Sequence, residues 1–134
     1  PCEYDCKRGE TDKPISIKSL KRFVTDHEKQ VGRKPVTPVE MTQRERVAVI
    51  GSGPAGLTCA RDVIQQGFAV TVFEALPVAG GMLTLGIPDY RLPREEVDKE
   101  IDDVRALGVE IRTNTAVGKD VTGTTDLGQT LAVP

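Results

Sequence analysis

The chain has almost no net charge: 18 Lys and Arg against 20 Asp and Glu leave -2 over 134 residues. Without a basic field, nucleic acid is not expected as a partner. No apolar stretch approaches the ~20 residues that a membrane span requires, and no hydrophobic targeting run opens the chain, so a soluble protein is expected. Cysteine is scarce. Three residues, an odd number without the spacing of a secreted framework, point to the reducing cytoplasm. The single histidine, His27, has no carboxylate or nucleophile motif around it and reads as a solvated helix residue. With 38% hydrophobic and 28% charged residues, the length fits one small globular domain and an appendage.

What the chain does have is the run Arg46-Val-Ala-Val-Ile-Gly-Ser-Gly-Pro-Ala-Gly-Leu57. It reads as a strand that breaks into a glycine turn and then a helix. Val47, Val49 and Ile50 are the β-branched residues of a strand expected to be buried on both faces, as in parallel sheets covered by helices. Gly51 would make the tight turn, Gly53 would let the backbone approach a pyrophosphate, and Gly56 would let the helix pack closely on the sheet. The run Gly51, Ser52, Gly53, Pro54, Ala55 and Gly56 is thus the candidate phosphate cradle, its free amides facing the phosphates. After a helix from Pro54 to Gln66, stopped by Gly67, the segment Phe68–Glu74 reads as a second strand ending in an acid. Glu74 lies about 20 residues beyond the glycines, where a carboxylate accepts hydrogen bonds from ribose hydroxyls and repels a 2′-phosphate. This spacing points to an ADP-containing cofactor and disfavours NADP at this site; a solvated strand end is the other account of Glu74.

The next segment pairs Gly80 with Gly81 at a fixed distance from the acid and continues Met82-Leu-Thr-Leu-Gly-Ile-Pro-Asp-Tyr-Arg-Leu-Pro-Arg94. This string resembles the glutamate synthase small-subunit family, which also includes the flavin and iron-sulfur half of dihydropyrimidine dehydrogenase and the NADH-dependent ferredoxin:NADP oxidoreductases. The resemblance implies FAD, with Gly80 and Gly81 bringing backbone against the cofactor, Met82 and the Gly86-Ile87-Pro88 turn lining the ring, and Arg91 contacting the FAD. A guanidinium fork suits a pyrophosphate. Val117, in the Thr115–Val117 segment that approaches adenine in relatives, is a further cofactor candidate. No redox pair of cysteines stands beside these glycines, which sets the chain apart from flavoprotein disulfide reductases. Cys59, inside the helix after Gly56, is expected to be a small buried thiol.

At the amino end, Cys2 and Cys6 form a C-x-x-x-C that by itself fits a disulfide, a zinc half-site, a metal cluster or nothing. The resemblance extends from Cys2 to Asp26 and implies that both cysteines ligate [4Fe-4S] clusters of an α-helical ferredoxin-like domain. Thiolates are soft, anionic donors suited to iron. A four-iron cluster needs about four protein ligands, so others must come from elsewhere. Lys21 stands where one relative carries a glutamine ligand, and an ammonium has no lone pair to offer iron.

The expected organisation is 1–31 as the end of that iron-sulfur domain, 32–44 as a linker with Pro35 and Pro38, and 45–134 as the first part of an FAD-binding domain. Residues 16 to 30 are expected to form an amphipathic helix with Ser16 as cap, carrying Ile17, Leu20, Phe23 and Val24. Pro93 opens another with Val97, Ile101, Val104 and Leu107 on one face, closed by Gly108. The charges from Arg94 to Asp103 are expected on its solvated face in i,i+4 pairs. Val109–Thr113 is a further strand, and Val121–Pro134 is expected to stop before any third core strand, its Gly/Thr stretch at 122–130 departing from the family or forming an ill-ordered tail.

The fold class expected is therefore α/β, a partial Rossmann-like FAD-binding domain with a parallel sheet and βαβ crossover, preceded by the α-helical end of an iron-sulfur domain. The expected function is that of a fragment, inactive alone, of an NAD(P)H-dependent FAD/iron-sulfur oxidoreductase. NAD(P)H would be the substrate of an inserted domain outside this stretch. Electrons would pass to a partner such as a glutamate synthase large subunit or a ferredoxin-type protein. No catalytic acid or base is needed here, because the flavin carries the chemistry. The alternative is a non-catalytic nucleotide-binding or scaffold module of a larger redox complex.

Overall fold

The structure, a computed structural model, describes residues 1–121 and 130–133. It divides into two units, Pro1–Pro35 and Val36–Pro134.

The first unit holds a 3-10 turn, Lys7–Glu10, and helix α1, Ile17–Val31. The helix begins where Ser16 predicts, but the Ser16 side chain makes no cap bond. The amide of Lys18 instead donates to the carboxylate of Glu3 at 2.8 Å, an anion well placed at a helix amino terminus. No residue of α1 is buried, and His27 stacks on Phe23 with ring centroids 6.1 Å apart.

The second unit is built on four parallel strands, β1 (Arg46–Ile50), β2 (Ala69–Phe73), β3 (Glu110–Arg112) and β4 (Thr130–Val133), in the order β3-β2-β1-β4. Helix α2 (Pro54–Gln65) crosses from β1 to β2, and α4 (Arg94–Ala106) from β2 to β3, with the short α3 (Met82–Leu85) between. Period-two alternation decides the layers. Val47, Val49, Val70 and Val72 point to one face, where they meet Leu57, Ala60 and Ile64 of α2 and Val97, Ile101 and Val104 of α4 in one buried cluster. On the other face Ala48, Phe73 and Val121 form a smaller one. Part of the expected linker is pinned to this unit: Val39 N–H donates to Leu107 O, and the amides of Thr42 and Gln43 both donate to Gly67 O.

Three expectations change. Ile50 is exposed rather than buried, because the strand ends there and the helices cover only its earlier residues. Arg94 does not stand on the solvated face of α4; it is half-buried and bonded to carbonyls of the preceding loop. A further core strand is present, since Thr130–Val133 pairs with β1 from Arg46↔Thr130 to Val49↔Val133. A β1 left at the sheet edge would expose a row of backbone donors and acceptors, and an apolar Leu-Ala-Val run satisfies them despite the polar residues before it. Residues 122–129, where the unusual tail was expected, lie outside the described residues. Two ion pairs on α4, Lys99 with Glu96 and Arg105 with Asp102, stand at i,i+3.

Candidate functional site

The site forms where β1 gives way to α2. Gly51 turns the chain at φ +88°, and its N–H donates to Phe73 O at 2.8 Å, adding a rung to the β1–β2 ladder. Gly53 caps α2 without any side-chain cap bond, Pro54 follows, and Leu57 N–H makes the first helical bond to Gly53 O at 2.9 Å. The amides of Ala55 and Gly56 therefore precede any helical acceptor and are open to an anion. A Cβ on Gly56 would strike the carbonyl oxygen of Gly51, whereas one on Gly53 would meet no atom of the chain. Internal packing thus requires Gly56. What the missing Cβ at Gly53 leaves free is the space in front of the helix, so the residues present fit a pyrophosphate.

Glu74 is not a solvated strand end. It is 7% exposed, and its Oε2 accepts from Ser52 N–H at 2.9 Å and from Ser52 Oγ–H at 2.6 Å, while Oε1 accepts from Leu76 N–H at 2.9 Å. Burial, the largest single influence, pulls its pKa up. The bonds from the Ser52 hydroxyl and from the amides of Leu76, Ser52 and Ala75 outweigh it and hold the carboxyl below the ordinary glutamate value. Both Ser52 bonds fall on Oε2, so Oε1 is the oxygen left to meet a hydroxyl.

Ser52 ties this acid to the glycine pair. Its hydroxyl is fully buried, donates to Glu74, and accepts from Gly80 N–H at 3.1 Å. The same amide is shared with Ser52 O at 3.1 Å. These bonds draw the Gly80–Gly81 turn against the first one, and a Cβ on Gly81 would come within 3.0 Å of Gly53 Cα. Gly51, Gly53, Gly56, Glu74, Gly80 and Gly81 are therefore one assembly. The Ser52 hydroxyl is engaged inside it. Sequence reasoning grouped Ser52 with the cradle but had no signal for this inward role.

The remaining candidates are placed less tightly. Met82 opens α3 with its side chain exposed. Arg91 is exposed, and its guanidinium makes no hydrogen bond among the described residues. Behind it Arg94, which sequence reasoning missed, donates from Nη1 to Leu83 O at 2.9 Å and from Nη2 to Ile87 O at 3.2 Å. Thr115 N–H donates to Glu74 O at 2.8 Å and Asn114 N–H to Leu76 O at 3.0 Å. They carry the chain past the end of β2 to Val117, which is marginally exposed and bridged to Val121.

The cysteines are all free. Cys59 is partly buried against the main cluster of the second unit. Cys2 is exposed, while Cys6 precedes the 3-10 turn. Backbone hydrogen bonds from Ile15 first, then from Arg8 and Gly9, hold the Cys6 thiol below its usual range against a smaller effect of burial. Such amides favour a thiolate, the form that ligates metal. Among the described residues no three His, Cys, Asp or Glu side chains come together as a metal site. No helix of the described residues is long and apolar enough to cross a membrane.

Residues 49–99 match the family described as an NAD(P)-binding Rossmann-like domain. The chain is 47% identical to the NADP(+)-dependent formate dehydrogenase subunit beta of Moorella thermoacetica, over 91% of this chain and 20% of that protein. It is 39% identical to the NADPH-Fe(3+) oxidoreductase subunit beta of Geobacter sulfurreducens, over 90% of this chain and 18% of the relative. With the NAD-dependent dihydropyrimidine dehydrogenase subunit PreT of Escherichia coli O157:H7 it shares 42% identity, over 90% of this chain and 29% of the relative. The chain thus spans less than a third of each of these relatives. Among solved structures, histamine dehydrogenase from Rhizobium sp. 4-9 overlays 64% of this chain and 13% of its own at a TM-score of 0.43 and 25% identity, too loose a likeness to carry argument. Along nine-tenths of its length the chain is homologous to subunits of NAD(P)-linked oxidoreductases, and its second unit has a partial Rossmann-like fold.

Proposed function

We propose that the second unit binds the ADP half of FAD, within an NAD(P)H-dependent flavin and iron-sulfur oxidoreductase subunit of the glutamate synthase small-subunit type. The observation that carries this reading is the bond series from Leu76 N–H through Glu74 and Ser52 to Gly80 N–H, buried from Glu74 onward. A mononucleotide needs only a glycine turn and an acid. Here a second glycine pair is locked to that turn, which extends the cradle beyond the phosphates toward Met82 and the 86–88 turn.

The chain's own groups bind and orient. Amides at the start of α2 take the pyrophosphate, Oε1 of Glu74 takes a ribose hydroxyl, and the same charge repels a 2′-phosphate. The exposed guanidinium of Arg91 and the segment leading to Val117 complete the ligand's surroundings. FAD, when bound, supplies the exchange between a two-electron nicotinamide donor and one-electron carriers. Cys2 and Cys6 would contribute to a [4Fe-4S] site whose remaining ligands lie elsewhere. NAD(P)H would bind outside this stretch, and the electrons would leave for a partner subunit or a ferredoxin-type protein. The names of the relatives, an NADP(+)-dependent dehydrogenase subunit and an NADPH-Fe(3+) oxidoreductase subunit among them, support a redox role over a purely structural nucleotide module.

The test is to purify the intact protein anaerobically without denaturant, record its visible spectrum, and assay acid-released flavin and iron. Stoichiometric FAD with iron is the expected result. A colourless protein that takes up no FAD from excess, yet binds NAD, would overturn the reading.

A further inference from the structure

Arg94 occupies the first position of α4, where a cation meets the positive end of the helix dipole, an unfavourable place. Both parts of the residue are nevertheless engaged. Its N–H donates to Asp89 Oδ1 at 2.9 Å, and its fork reaches the carbonyls of Leu83 and Ile87. The end of α3 explains why. The amides of Gly86 and Ile87 both donate to Met82 O, so the Leu83 carbonyl is left to the guanidinium. Pro88 O accepts from the amides of Arg91 and Leu92 at 2.9 and 3.1 Å. The loop from Met82 to Leu92 is thus closed on itself from both ends, and Arg91 stands exposed within it.

We infer that Arg94 is a positioning residue, which holds this loop in the shape that presents backbone 82–88 to the second half of the dinucleotide and the Arg91 guanidinium to its pyrophosphate. It touches no ligand itself. The inference rests on the FAD reading and deepens it, because ADP alone would need only the glycine turn and Glu74. A lysine supplies a point charge rather than a planar fork and can hold one of the two carbonyls firmly, so it should rescue in part.

The experiment uses Arg94→Ala and Arg94→Lys in the intact protein with three readouts: amide hydrogen exchange across 82–92 without ligand, affinity for FAD, and affinity for ADP. Exchange should quicken across 83–88 in Arg94→Ala. FAD should bind about tenfold more weakly, the scale of one charged hydrogen bond, with Arg94→Lys intermediate. ADP affinity should fall clearly less than FAD affinity, since backbone 82–88 meets only the half of the dinucleotide that ADP lacks. Unchanged exchange, unchanged FAD affinity, or equal weakening of FAD and ADP would each overturn the role. A wild-type protein that binds ADP but no FAD sinks the flavin reading and this role together; a wild type that binds FAD beside a variant that binds it equally sinks Arg94 alone.

Discussion

Replacing Glu74 with glutamine changes one oxygen for an amino group inside a closed set of donors. Glu74 accepts from Ser52 N–H, Ser52 Oγ–H and Leu76 N–H, and a carboxamide cannot satisfy all of them. Turned one way, its NH2 faces the Leu76 amide; turned the other, it faces the Ser52 amide. The first is cheaper, because Leu76 is exposed and water can reach its amide. The two bonds kept then go to a neutral rather than a charged acceptor, which about halves their strength. The expected loss near neutral pH is ~1.5–3 kcal/mol. The pH dependence gives a second signature. The folded carboxyl has a lowered pKa, so just below the ordinary value of about 4.3 the unfolded chain binds more protons than the folded one. Stability from Glu74 is therefore complete above that value and lost as pH falls through the folded pKa. Glu110 is lowered as well, by its bond to Arg112 first, and contributes in the same direction to both proteins; the difference between their profiles isolates Glu74. Urea unfolding followed by circular dichroism between about pH 6 and pH 3 should show the variant weaker at the upper end and the two converging in acid. Equal stability near neutral pH with parallel acid profiles would refute the claim that this acid holds the turn together.

Gly56→Ala should lower stability by about 1–3 kcal/mol, because the new methyl meets the Gly51 carbonyl and the turn cannot yield without dragging the Phe73 ladder bond; chemical denaturation at fixed ligand concentration measures it. Ile64→Ala empties a fully buried position between α2 and the sheet and should cost about 2–5 kcal/mol by the same assay. Arg112→Ala is the contrasting case. The guanidinium bonds Glu110 at 2.8 Å and lies 5.8 Å from the Phe73 ring centre, yet both charged side chains are half-exposed. A change under about 1 kcal/mol is expected, and a loss above that would mean the Phe73 contact is a core interaction.

How much of this was legible in the sequence follows from how local each cause is. The glycine turn, α2, β2 and the apolar stripe of α4 depend on spacing along one segment, and each was found within a residue or two of its place. β4 depends on a strand far away in the chain: its Leu-Ala-Val gives no periodicity to read, and only the open edge of β1 makes it a strand. The site divides in the same way. Spacing put Glu74 opposite the glycines, but no pattern could say that its carboxylate would be closed in by Ser52, because those bonds form only once β1 and β2 stand side by side. Arg94 is the sharper instance. Within a run of eight charges it looks like one more solvated residue, and helix electrostatics argue against an arginine at that position. The carbonyls of Leu83, left open at the end of the short α3, and of Ile87 in the loop beyond it reverse this. A residue that violates the local rule for its position is therefore accounted for by a neighbouring element's unsatisfied backbone, which ties the geometry of the 82–92 loop to the start of α4.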